Sequence, residues 1–195
     1  MTPADVIGFW LHDVGEKDWY SGGPALDARI RDRMGEAVAD AREGRLEHWR
    51  DGPEGVLAYL LLTDQMTRNV HRDTALAFAS DWRARGAAGE ALALDWDLMV
   101  GVPLRQFFYL PFMHAEDLAR QDLCIRCFAT RYPNPSNHLH ARTHRDIIRR
   151  FGRFPFRNAA LGRQTTPEEQ AFLDAGGYGT AVRAMIQTHG PIPER

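Results

Sequence analysis

The sequence predicts an all-α fold of antiparallel helix pairs, with residues 1–195 forming one domain. Three observations carry this reading. Apolar residues recur at i, i+3, i+4 and i+7 in segment after segment, the period of a helix with one buried face. Those segments start at Pro, Asp or Thr and stop at Gly or Asn-Pro, as helices do. No run alternates with the period of two that a half-buried strand requires. With 195 residues and 44% hydrophobic content, the chain can bury a substantial core.

Pro3 and Asp5 open a first helix with Val6, Ile7, Trp10 and Leu11 on its apolar side, and Gly15 closes it. Trp19 and Tyr20 anchor the loop that follows. Ile30, Met34, Val38 and Ala41 place a helix over 27–42, with Gly44 near its end. Leu46 and Trp49 form a short helical piece before the Asp51-Gly52-Pro53 turn. Residues 56–66 are apolar almost all round, which predicts a helix in the centre of the core. The end of that helix turns abruptly polar at Asp64, Gln65, Arg68 and Asn69. Asp73 is expected to cap a helix over 74–85, with Leu76, Ala79 and Trp82 inward and Gly86 and Gly89 as its exit. Residues 91–100 read as a short helix.

Pro111 is placed at the first position of a helix over 111–131, with Leu118, Leu123, Cys124 and Cys127 inward. After Pro133-Asn134-Pro135, Ser136 or Asn137 caps the next helix, which carries His144, Ile147, Ile148 and Phe151 on one face. Gly152 loosens its last turn and Pro155 stops it. Thr166-Pro167-Glu168-Glu169 is a capping box, its helix ends at Gly176-Gly177, and a final short helix covers 181–188.

Composition bounds the function. Net charge is −2 and the isoelectric point near 6.4, which argues against a general nucleic-acid binder. Lys17 is the sole lysine, so the positive charge is almost all Arg, whose planar fork suits carboxylate or phosphate. No stretch of about 18 apolar residues predicts a membrane span. No basic segment followed by an apolar one marks a signal peptide, and two cysteines make no disulfide framework, so a cytoplasmic location is expected. Cys124 and Cys127 lie inside a predicted helix and read as packed thiols rather than a redox pair. Ser21, Ser80 and Ser136 sit in no nucleophile elbow, and no Gly-rich phosphate loop follows a strand.

The stretch 60–69, Leu-Leu-Leu-Thr-Asp-Gln-Met-Thr-Arg-Asn, resembles the uncharacterised bacterial family DUF924. So do Phe107-Phe108-Tyr109-Leu110-Pro111-Phe112-Met113-His114-Ala115-Glu116-Asp117, the stretch 144–162, and the pairs Phe9-Trp10 and Trp19-Tyr20. The resemblance covers roughly residues 5–175. It implies a tetratricopeptide-like right-handed helical array and no particular activity. Thr63, Met66 and Thr67 stand at variable points of the family's Asp-Gln-Phe-Pro-Arg-Asn pattern. Phe156 stands where the family usually has His in Phe-Pro-His-Arg-Asn. A reaction dependent on that His would be absent here.

The candidate ligand-binding residues are Asp64, Gln65, Arg68, Asn69, His114, Glu116, Asp117, His144, Arg153, Arg157 and Asn158. Asp64/Arg68 and Gln65/Asn69 are i, i+4 pairs, adjacent on a helix. His114/Asp117 and His140/His144 have ligand-like spacing but form no known zinc signature, so neither metal nor cofactor is assigned. Residues 142–163 hold seven arginines and one acid, Asp146, as either a solvated ion-paired face or an anion site. The expected partner is a small anionic molecule in a pocket where the three polar motifs converge. His144 is the candidate general acid or base because an ordinary His titrates near neutrality. A groove that takes a peptide is the alternative. In either case the 154–158 turn is expected to pack on the polar end of the 57–66 helix, Arg157 facing Asp64. Asn158 is then expected to bond the helix-end carbonyls near Asn69.

Overall fold

The computed structural model describes residues 1–189. Among the described residues there are helices and no strands, so the protein is all-α. The chain packs as two compact units, Met1–Pro111 and Phe112–Arg195.

In the first unit, α1 (Pro3–Gly8) is opened by a capping box between Thr2 and Asp5 and runs on as a π-helical turn, Phe9–Val14, to Gly15. Trp10 and Trp19 then set their edges against Phe107, with centroids 6.0 and 4.9 Å apart. α2 (Pro24–Glu43) starts at a proline and ends at Gly44 in the left-handed region. α3 (Pro53–Leu60) continues as π-helical Leu61–Met66 and then α4 (Thr67–Val70). Residues 56–67 are buried without a break, as the all-round apolar pattern predicts. Gly55 is required where α3 meets the Glu47–Trp49 turn: a Cβ there would lie 1.9 Å from the Trp49 carbonyl oxygen.

α5 (Asp81–Ala93) packs on α3 through Ala84, Ala87, Ala88 and Ala91, all fully buried. This corrects the expected 74–85 helix. Asp73 adopts a left-handed conformation instead of capping, and Ala75–Phe78 is a short 3-10 turn. Trp82 is 60% exposed and Leu76 46%. The alanine face decides the register, because small side chains let α5 approach the central helix closely. Gly86 and Gly89 fall inside the helix, where burial of the alanine face outweighs their low propensity. α6 (Trp96–Met99) and the 3-10 turn Leu104–Phe108 complete the unit.

α7 (Leu110–Met113) crosses the junction. The long helix expected from Pro111 is broken: α8 (Leu118–Thr130) starts only after Asp117, whose carboxylate accepts from the Arg120 N–H at 2.9 Å. Gln121 stabilises the break, donating to the Met113 and Ala115 carbonyls at 2.6 and 2.7 Å. Leu118 is consequently exposed, whereas Cys124 and Cys127 are buried thiols as expected.

α9 (Pro135–Phe151) is capped by Asn134 rather than Ser136 or Asn137, since Pro135 takes the first helical position. It ends at Gly152 with φ +70°. α8 packs on α9. Beyond the turn Pro155–Arg157 come α10 (Pro167–Asp174), opened by the expected Thr166/Glu169 capping box, and α11 (Gly177–His189). α11 packs on α9. Ile147, Ile148 and Phe154 form a local core with Phe151, Phe172, Tyr178 and Ala181 around it.

Candidate functional site

Each unit gathers part of the predicted polar set. In the first, Asp64 and Gln65 lie in the π-helical turn, where i→i+5 bonding replaces the α pattern. Such turns are rare and concentrate at functional positions. Arg68 bridges Asp64 and Asp81 at 3.0 Å each and lies over the Phe78 ring. The Asp64/Arg68 contact is therefore the expected i, i+4 pair. Gln65 instead donates to Asp64 at 2.5 Å, and Asn69 reaches Asp27 on α2 at 2.8 Å. Arg72 grips the same Asp27 with Nε and Nη2, at 2.5 and 2.8 Å. That fork, with the Asn69 amide, holds the Asp27 carboxyl below the usual range although burial opposes it. Sequence reasoning missed Asp27, Arg72 and Asp81, because their sequence separation carries no local signal.

In the second unit the centre is His144. Its Nδ1 lies 2.9 Å from the His140 carbonyl oxygen, which can only accept, so Nδ1 carries the proton and Nε2 is the basic nitrogen. The Tyr178 hydroxyl lies 3.3 Å from that Nδ1 and 2.6 Å from His140 Nδ1. With His144 Nδ1 protonated, the hydroxyl donates to His140. Tyr178 belongs to the site and was not among the sequence candidates. Rings close in around them: His114 at 6.3 Å and Phe154 at 5.4 Å from His144, both edge-on. Phe154 itself is covered by Phe156, stacked at 5.2 Å, and by the Arg157 guanidinium at 4.6 Å. Burial, helped by the neighbouring histidines and the Arg157 charge, pushes His144 down to about 3. This corrects the expectation of a near-neutral titration: His144 is a neutral imidazole at physiological pH.

The remaining candidates build the frame of this cluster. Glu116 accepts from the Phe154 N–H at 2.8 Å and from both Arg163 terminal nitrogens at 2.7 and 2.9 Å. Burial works against its charge, but the Arg163 fork, the Phe154 N–H and the Arg157 charge outweigh it and lower its pKa. Arg153 forks onto Glu169 at 2.6 and 2.8 Å, and the Asn158 amide donates to Glu169 and Thr165. The Arg153 fork and the Thr166 N–H bring Glu169 to about 2. Asp117 caps α8. In the basic stretch, Arg145, Arg149, Arg150, Arg153 and Arg163 all pair with carboxylates, as on an ion-paired face. Among the described residues no group of three or more His, Cys, Asp or Glu side chains could hold a metal.

Helices alone, with a polar π-helical turn in one unit and a His–Tyr–His chain in the other, define an all-α protein. The chain belongs to the family described as bacterial proteins of unknown function (DUF924), which matches over residues 6–177. It is similar to the solved structure of a protein of unknown function, ATU0120, from Agrobacterium tumefaciens. Identity is 42% over 89% of this chain and 97% of that one, with a TM-score of 0.83. None of the curated proteins matches. No helix among the described residues is long and apolar enough to cross a membrane.

Proposed function

We propose that the protein binds a small anionic metabolite, carboxylate- or phosphate-bearing, at the His114–His144–Arg157 cluster of the second unit. The carrying observation is the fixed tautomer of His144 beside the Arg157 charge. A neutral imidazole with Nδ1 held as donor presents Nε2 as a hydrogen-bond acceptor for a ligand hydroxyl, and the guanidinium supplies the positive field for the anionic group. An anion bound there raises the His144 pKa, so an imidazole too weakly basic in the empty site becomes a usable proton acceptor. Catalysis, if the ligand is a substrate, then runs through His144. Glu116, Asp117, Arg153 and Asn158 hold the cluster in place, and Asp64, Gln65, Arg68 and Asn69 do the equivalent for the first unit. The protein is read as cytoplasmic, where the Cys124 and Cys127 thiols stay reduced.

The test is titration with inorganic phosphate and with small carboxylates, followed by the imidazole NMR signals. Saturable shifts at His114 and His144, abolished in Arg157→Gln, are expected. Flat histidine signals at millimolar anion overturn the reading. A second reading, a tetratricopeptide-like peptide-binding module, is favoured by one observation, an acidic apolar groove in the first unit.

A further inference from the structure

That groove lies between the start of α3 and the segment after α6. It encloses about 650 Å³ and is lined by Ile7, Leu57, Met99, Val100 and Leu104, with Asp51 and Glu54 at its edge. Met99 in that lining is 70% exposed, and the apolar surface continues outside the groove at Val102, 67% exposed, and Leu98, 45%. So many exposed large apolar side chains within five consecutive residues are unusual on a surface that covers nothing. They are not needed for the core, which is filled by Val56, Leu57, Leu60 and their neighbours.

The side chains that line the groove carry charge of one sign, while beside it the Arg105 guanidinium donates to the Val100 and Leu98 carbonyls at 3.0 and 3.3 Å. Asp51 and Glu54 line it, and no Arg, Lys or His does. Several carboxylates of this arginine-rich chain are ion-paired, as at Asp40, Glu43, Glu47 and Glu90, while exposed ones such as Asp32 and Glu36 on α2 are not. Asp51 and Glu54 have no such ion pair or side-chain hydrogen bond among the described residues. Glu54 in the first turn of α3 has a local reason, the helix dipole. Asp51 belongs to the Asp51-Gly52-Pro53 turn that leads into the same helix, so what points to a partner is that both carboxylates line an apolar trough with no basic side chain among its lining residues.

We propose that this groove docks a partner segment that is basic and apolar at once: one or two large apolar side chains seated on Leu57, Val100 and Leu104, with flanking Arg or Lys facing Asp51 and Glu54. The apolar anchors supply affinity, and the carboxylates select the partner and speed its approach. This rests on the peptide-binding reading and is independent of the anion site in the second unit.

The experiment uses the full chain and a pair of fluorescein-labelled short peptides of equal leucine and phenylalanine content, one carrying arginine and the other glutamate at the same positions. Fluorescence anisotropy is expected to show saturable binding of the arginine peptide, at least about tenfold tighter than the glutamate peptide. The double reversal Asp51→Lys/Glu54→Lys inverts that preference, and Met99→Glu weakens binding. The control reversal Asp32→Lys/Glu36→Lys, which changes net charge equally on an exposed stretch of α2, leaves the preference intact. Because all these positions are at the surface or the groove edge, unchanged circular dichroism verifies folding. Absence of saturable binding, or equal response to the control reversal, overturns the proposal. Self-association dispersed by Met99→Glu, with no peptide binding, overturns it in favour of a second copy. Phosphate titration of the His114 and His144 signals is run alongside, so loss of groove binding is separable from failure of the anion site.

Discussion

His144 owes its state to neighbours it does not touch in sequence. The His140 carbonyl fixes its tautomer, and burial keeps it neutral. Imidazole nitrogen shifts are therefore expected to show a protonated Nδ1 and no titration between about pH 8 and pH 5. A midpoint near 6.5 would show that the site is wetter than its packing implies. Glu116 offers a second residue-scale test. Replacing Arg163 with Met removes the fork on a partly buried carboxylate that also receives the Phe154 N–H. Urea denaturation is expected to show a loss of about 1–3 kcal/mol, since hydrogen bonds to charged groups contribute that much. Glu116→Gln costs less, because Phe154 keeps an acceptor.

At the scale of the element, α5 is set by its alanines. Ala88→Leu inserts volume against α3 and is expected to destabilise by about 1–3 kcal/mol. Gly86→Ala and Gly89→Ala act in the opposite direction. A Cβ at either position meets nothing within 4 Å, and each helical Gly→Ala gains about 0.5–1 kcal/mol from the unfolded chain. Thermal melts that rank Gly86→Ala below the parent would mean α5 is not a regular helix in solution. At the other extreme, Gly55→Ala drives a methyl into the Trp49 carbonyl and is expected to cost about 2 kcal/mol or more.

Across the whole molecule, protonation couples these local states to stability. His144, His140, His138 and His71 all have folded pKa values below 6.5, so the unfolded chain binds more protons as the pH falls. Their contribution is complete above pH 6.5 and is lost on acidification through the folded values. His144 alone accounts for about 2 kcal/mol lost by pH 5. Asp27, Glu116 and Glu169, also lowered, add their losses only below about pH 4.5. Urea midpoints at pH 7.5, 6 and 5 are expected to fall in the parent and to fall less in His144→Gln. Equal slopes for both would remove His144 from this account.

What the sequence by itself determined was periodic and local. The all-α class, the buried 56–66 helix, the Thr166 capping box and the buried thiols follow from spacings of three and four residues and from capping chemistry, which act within one turn. The polar stretches were legible as well, because a buried helix that ends in Asp, Gln, Arg and Asn breaks its own pattern. Only the tertiary structure decided which partners those groups chose. Asn69 reached Asp27 across forty-two residues and Arg163 reached Glu116 across forty-seven, pairings that local periodicity cannot encode. It also decided that α5 shifts onto its alanine face, leaving Trp82 outside, because fit against α3 outweighs the burial of a single large ring. The state of His144 belongs here too: a pKa follows from solvent exclusion and nearby charge, and both exist only once the rings of His114, Phe154 and Tyr178 have closed around it.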